Sequence, residues 1–368
     1  MWETHNICAS STSDIFGYQG SCMSAGTRGV RALFQQTYQS SSWLLPFQAV
    51  GANSEPRAAP SGRRVPMVGL TASMEGDTTQ ADARDGPQPD DQQFVQTVAG
   101  LKPPPPPHAE AAWEWFRAMG SPKYHVAPMV DQSELAFRIL CRRHGAHLAY
   151  TPMLHSRLFS EELKYRKENF TTSSEDRPVL AQFCSNDPAH FIAAAHHLAA
   201  DVDGVDLNLG CPQRIAKRGR YGAFLMDELP LVEKLVSTAV QELPVPVTVK
   251  IRMFPREDDP SLPDLERTVA YAKMLESAGA YLVAIHGRTR EQKKAKEIRA
   301  NWEVIKAVKE ALHVPVVGNG NIRHKQDADR LLAETGVDGV MSAEALLEDP
   351  GLFDKDRREG RGATSLEK

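Results

Sequence analysis

Eight short apolar, β-branched runs, each followed by a stretch with helical spacing, constrain this chain more than any other feature. They read KYHVAPMV (123–130), HLAYTPM (147–153), PVLAQF (178–183), GVDLNLG (204–210), VPVTVKIR (245–252), YLVAIHG (281–287), VPVVGNG (314–320) and DGVMSA (338–343). Between them SELAFRILCRRHG, DPAHFIAAAHHLAA, DLERTVAYAKMLESAG, NWEVIKAVKEAL and KQDADRLLAETG space their apolar residues three and four apart. Strands this apolar suit a parallel sheet covered on both faces. Eight βα units in roughly 230 residues are the arithmetic of a closed (β/α)8 TIM barrel of the α/β class. The alternative is a doubly wound open sheet, but that fold normally needs a Gly-rich turn after its first strand, and APMVDQSE has none.

Residues 1–110 carry no such pattern. They are rich in Ser, Thr, Gln, Gly and Pro and end in the PPPPP run Pro103–Pro107, a stiff extended segment. This stretch reads as a disordered N-terminal extension with a Pro-rich linker, ahead of a barrel domain over 120–355 and a short charged tail over 356–368. Before Ser73 it holds three acids (Glu3, Asp14, Glu55) against five arginines, the composition of an organellar transit peptide. A plain disordered extension fits equally, so the expected location is cytoplasmic, or a plastid or mitochondrion if the leader is a transit peptide.

Composition excludes several function classes. No run of eighteen apolar residues exists, so no membrane partner is expected. The five cysteines (Cys8, Cys22, Cys141, Cys184, Cys211) show no metal-ligand or disulfide-framework spacing, so no metal is expected. The first hundred residues hold six arginines, no lysine and nine acids, and the remainder is close to neutral. Contact with a nucleic acid must therefore come from local patches.

In a barrel the chemistry belongs where the strands end at their C-terminal edges. Met129 and Asp131, Gln182, Asn208 and Cys211, Lys250 and Arg252, His286 and Arg288, Asn319–Asn321, and Ser342 and Glu344 all fall where an apolar run breaks. GNGN and GVMSAE, ending the last two strands, stand where many barrels hold a phosphate on backbone N–H groups. Lys250 and His286 read as two cations at the same mouth, suited to a flat ring that becomes anionic on reduction, as a flavin does. The plainer reading of Lys250 is a structural pair with a barrel carboxylate.

APMVDQSE, YTPM, AQF, DLNLGCP, YGAFL, VKIR, IHGRT and GNGNI, in this order from about His125 to Phe353, resemble the tRNA-dihydrouridine synthases, most of all the eukaryotic branch acting on uridines 16/17 of the D-loop. The resemblance implies FMN-dependent reduction of uridine in tRNA with NADPH as reductant, in a monomer. It implies Cys211 as the acid that protonates C5. It places Pro128, Met129 and Val130 under the flavin, Gln182 and Lys250 at its polar edge and His286 beside it, with Asn319, Gly320, Asn321, Ala343 and Glu344 around the phosphate. Asn208 and Arg252 would meet the uracil edge of an extruded base. The cations of RIAKRGR (Arg214, Lys217, Arg218, Arg220) would guide tRNA phosphates. A flavin barrel acting on a free pyrimidine and an RNA-binding barrel without turnover stay open as alternatives. Two departures from the family stand out. REQKKAKEIRA replaces a glycine-containing loop, and fifteen residues follow Phe353 where the family continues into a helical tRNA-binding domain, which is expected to be absent or truncated here.

Overall fold

The structure is a computed structural model that describes residues 104–292 and 298–354. The leader up to residue 103 and the tail from 355 lie outside the described residues, and with them the expectations placed there. Within the span described, eight parallel strands close into a ring: β1 (Tyr124–Val126), β2 (Leu148–Tyr150), β4 (Val179–Cys184), β5 (Gly204–Leu209), β6 (Val247–Pro255), β8 (Val283–Thr289), β9 (Val316–Asn319) and β10 (Gly339–Ser342). β10 pairs with β1, and β2 pairs with β4, so no edge is left among them. All eight lie within the runs read from the sequence or extend them by a few residues. Two short strands are additions: β3 (Leu154–His155) pairs parallel with the end of β4, and β7 (Pro263–Asp264) folds back antiparallel on β6.

Alternation along the strands sorts side chains into two layers. Val205, Leu207 and Leu209, like Val249, Ile251, Val283 and Ile285, belong to the larger core that includes helix residues such as Leu235, Leu275 and Ile305. The other parity faces the barrel axis, where Leu148, Tyr150, Leu180, Leu282, Ala284, Val317 and Met341 form a separate core. Following that parity toward the C-terminal edges leads from apolar residues to Gln182, Asp206, Asn208, Lys250, Arg252, His286 and Asn319. Strand alternation thus assigns the mouth its polar residues without disturbing the outer core.

The helices start where local chemistry dictates. Asp187 caps α5 (Pro188–His196) through His190 N–H with Pro at the first turn, Asp264 caps α8 (Leu265–Ser277) through Arg267 N–H, and Asn301 caps α9 (Trp302–Ala311) through Val304 N–H. Upstream of the barrel, α1 (Ala109–Ala118) covers its N-terminal end, so Ala109 and Glu110, grouped with the leader by composition, begin an ordered helix. Phe116 of α1 enters the inner core, and three flanking side chains bond the loops that lead into strands. Trp113 Nε1 donates to His313 O (2.6 Å), Trp115 Nε1 to Asp203 O (2.9 Å), and His108 Nε2 lies 3.3 Å from Ala280 O.

Candidate active site at the barrel mouth

The turn that carries Cys211 is built by its neighbours on the strand. Asn208, at the mouth end of β5, accepts the Gly210 and Cys211 N–H groups at 3.1 and 2.9 Å through Oδ1. Arg252 Nε donates to Gly210 O (2.7 Å), and Ala223 N–H donates to Cys211 O (3.1 Å). Gly222, with φ +66°, sits flush against this turn, and a Cβ there would come within 2.8 Å of Cys211 O and 3.0 Å of its Cβ. The Cys211 backbone is thus held from both sides, because a polar strand end supplies fixed acceptors and donors. The thiol is half-buried, whereas Cys141 and Cys184 are fully buried and burial pushes both thiols up to about 12, as inert core cysteines.

Strand register places the cations side by side: Asn208 is level with Lys250, and Arg252 with His286, which in turn is level with Asn319. Lys250 Nζ donates to Asn319 Oδ1 (3.3 Å), so its direct partner is an amide and not the carboxylate of the plainer reading. Desolvation, and then neighbouring Arg252, lowers its ammonium to about 8. Arg252 also donates Nη1–H to Thr289 O (3.0 Å), which leaves Nη2 without a protein partner among the described residues.

His286 is not the second cation. Burial, and then Arg252, Lys250 and Arg288, hold its pKa well below the ordinary value, and Arg288 Nη1 donates to its Nε2 at 2.9 Å, so the neutral ring carries its proton on Nδ1. Arg288, read only as a strand-end residue, is the anchor here. It also donates Nη2–H to Asn321 Oδ1 (2.9 Å) and Nε–H to Ile298 O (2.8 Å).

At the end of β9, Gly320 (φ +127°) and Asn321 (φ +62°) make a concave backbone. A Cβ on Gly320 would lie 2.6 Å from that of Ala300 and 3.3 Å from His286 Cδ2, so the cradle exists only with glycine. Asn319 Nδ2 ties β9 to β10 through Met341 O (2.9 Å). Ala343 and exposed Glu344 follow β10 at the start of α11 (Glu344–Glu348). After β1, the neighbour of β10 in the ring, Pro128 and Met129 are half-buried and Val130 is 55% exposed. Ser133 bonds both Met129 N–H (2.9 Å) and Met129 O (3.1 Å), which fixes this turn.

The basic run forms α6 (Arg214–Gly219), whose buried Ala216 packs with Cys184 and Tyr221. Arg214, Lys217 and Arg218 are exposed, line a shallow concavity and make no ion pair among the described residues. Arg220 differs: it leaves the helix in a left-handed conformation and donates to both oxygens of Glu228 at 2.9 and 3.0 Å. One nitrogen, Nη2, bridges both carboxylate oxygens, so three of the four cations stand without an ion pair among the described residues, while the Arg220 side chain stays 70% exposed.

Two residues escaped notice in the sequence, Asp206 and Arg288 as an anchor. Asp206 shares the inward parity of Asn208 in DLNLG, and that alternation was the signal available.

The fold and this mouth define a (β/α)8 barrel with a cationic site and, among the described residues, a single half-buried cysteine just beyond its fourth ring-forming strand, β5. Residues 125–365 match the family "Dihydrouridine synthase (Dus)", and the chain belongs to that family. It is 53% identical over 242 residues to the rat protein named tRNA-dihydrouridine(16/17) synthase [NAD(P)(+)]-like, covering 65% of this chain and 53% of that one. It is 51% identical over 243 residues to the tRNA-dihydrouridine(16/17) synthase [NAD(P)(+)] of Saccharomyces cerevisiae, covering 65% and 56%. To the human tRNA-dihydrouridine(20a/20b) synthase [NAD(P)+]-like protein it is 37% identical over 230 residues, covering 62% and 69%. The chain spans about half the length of the curated 16/17-type relatives it matches.

Proposed function

We propose that this chain reduces uridine to 5,6-dihydrouridine at positions 16/17 of the tRNA D-loop, with FMN as bound cofactor and NADPH as reductant. The observation that carries the reading is the Cys211 turn, which sets a half-buried thiol beside Asn208, Lys250 and Arg252 at the barrel mouth. Higher identity to relatives named for positions 16/17 than to the one named for 20a/20b supports the position.

The residues present fit FMN. Gly320 leaves a cradle that a Cβ would fill, and Gly320, Asn321, Ala343 and Glu344 would offer N–H groups to its phosphate. Lys250 and Gln182 would meet the polar edge of the ring, His286 would lie alongside with Nδ1–H as donor, and Pro128, Met129 and Val130 would lie beneath. Bound there, FMN supplies the hydride relay between NADPH and uracil C6. Lys250 places an ammonium where negative charge develops, in a site partly screened from water. Arg252 Nη2 and the remaining Nδ2–H of Asn208 donate to uracil carbonyls, orienting a base that has left its stack. Cys211 then gives its Sγ proton to C5, and the thiolate left behind is reprotonated from solvent.

The test is turnover with reconstituted FMN and NADPH on unmodified tRNA, with dihydrouridine mapped at nucleotide resolution. Product at 16/17 is expected, and equal efficiency on free uridine would contradict the reading.

Arg214, Lys217 and Arg218 act as the phosphate-steering surface in this reading. Replacing all three with Ala should weaken tRNA binding and lower the slope of log affinity against log salt by roughly two to three, about one per phosphate contact. A filter-binding salt series measures this, and an unchanged slope refutes the role.

A further inference from the structure

We propose that Asp206 is a positioning residue whose carboxylate fixes the direction of a buried amide relay, Asp206–Gln182–Asn208, and through it the Cys211 turn. All three side chains are buried, at 0%, 1% and 8% exposure. A carboxylate only accepts. Thr248 Oγ1 donates to Asp206 Oδ1 (2.6 Å) and Gln182 Nε2 donates to Oδ2 (2.8 Å). Gln182 must therefore turn Oε1 away from Asp206, and that oxygen accepts Asn208 Nδ2–H at 2.7 Å. Asn208 in turn presents Oδ1 to the N–H groups of Gly210 and Cys211.

Amide oxygen and nitrogen are nearly equal in shape, so only such a chain of partners decides which end faces which. Reversing either amide would set N–H against N–H at one of the links. Without the Asp206 acceptor, Gln182 Nε2 is buried and unpaired, and the amide rotates to find a partner, withdrawing Oε1 from Asn208. A second consequence follows from the same polarity. Asn208 Oδ1 already holds two donors, so toward a base this residue can only donate, and it meets a uracil carbonyl and never N3–H.

Burial raises the Asp206 carboxyl to about 6 while the hydrogen bonds from Thr248 and Gln182, and then the Lys250 charge, pull it back down. Charge neutralisation of Lys250 is thus the competing role, and an amide at 206 separates the two. In Asp206→Asn the carbonyl can still accept from Gln182 while Nδ2–H donates to Thr248 Oγ1, whose hydroxyl turns to Val205 O, already 3.4 Å away.

The readout is the iodoacetamide alkylation rate of Cys211 in the full chain, followed by peptide mass spectrometry without tRNA. Asp206→Leu should alkylate at least fivefold faster and Asp206→Asn within twofold of the unsubstituted chain. Gln182→Met, which breaks the next link and keeps length, should match Asp206→Leu and decides the matter if that variant does not fold. Equal acceleration in Asp206→Asn and Asp206→Leu would assign the effect to charge and overturn the relay, as would an unaccelerated Gln182→Met. A further arm rests on the proposed function: Asp206→Leu should lower kcat on tRNA and leave KM for tRNA unchanged. Failure of the unsubstituted chain to turn over would remove that function but leave the alkylation result standing.

Discussion

Cys211→Ser is expected to lower dihydrouridine formation in tRNA by about 10² to 10⁴, the range a positioned general acid contributes. The turn gives a physical reason to expect a chemical and not a structural loss. Among the described residues, every hydrogen bond that holds residue 211 is made by its backbone, N–H to Asn208 Oδ1 and C=O from Ala223 N–H, and none by Sγ. Serine therefore occupies the same place with a hydroxyl far less acidic than a thiol. A single-turnover assay separates the steps: reduction of bound flavin by NADPH keeps its rate, while product formation slows. Turnover by the Ser variant at the rate of the unsubstituted chain would remove Cys211 from the chemistry.

The outcome of that assay depends on features of unequal legibility. Strand positions could be read because each apolar run ends in a polar break, and the break is also where barrel chemistry resides. Cys211, Asn208, Lys250, Arg252, His286 and Asn319 were found this way, and strand register brings them together. What could not be read is how they engage one another. His286 looks like a cation until its neighbours in space, Arg252, Lys250 and Arg288, are known, because its charge is set by burial and by residues on other strands. Arg220 looks like its three companions in RIAKRGR until the chain folds back and Glu228 captures it. Asp206 hides for a further reason. Inward parity in a barrel strand is shared by filler and by functional residues, and only the partners across the strand tell them apart.

Helix α1 illustrates the opposite failure, where the neighbouring sequence misleads. It follows a proline run and lies outside the family match, which begins at residue 125, yet it supplies the floor beneath the site. Phe116 is 2% exposed and packs with Leu148 of β2, Leu180 of β4, and Leu282 and Ala284 at the start of β8, on the inner face of three strands. Phe116→Ala should cost about 3–5 kcal/mol, the transfer term plus a cavity that a closed ring of strands has little freedom to collapse. For a domain of this size that corresponds to a melting temperature lower by on the order of 10 °C. Trp113→Phe and Trp115→Phe serve as graded companions, since each keeps an aromatic ring and removes one hydrogen bond to a loop, His313 O or Asp203 O, worth about 1 kcal/mol. Because those loops feed β9 and β5, loss of the floor should also loosen the far ends of the strands that bear Asn319 and Asn208. Thermal melts of the three variants, with FMN retention measured alongside, test both parts. A Phe116→Ala melt within 2 °C of the unsubstituted chain, where roughly 10 °C is expected, would show that the barrel closes without α1.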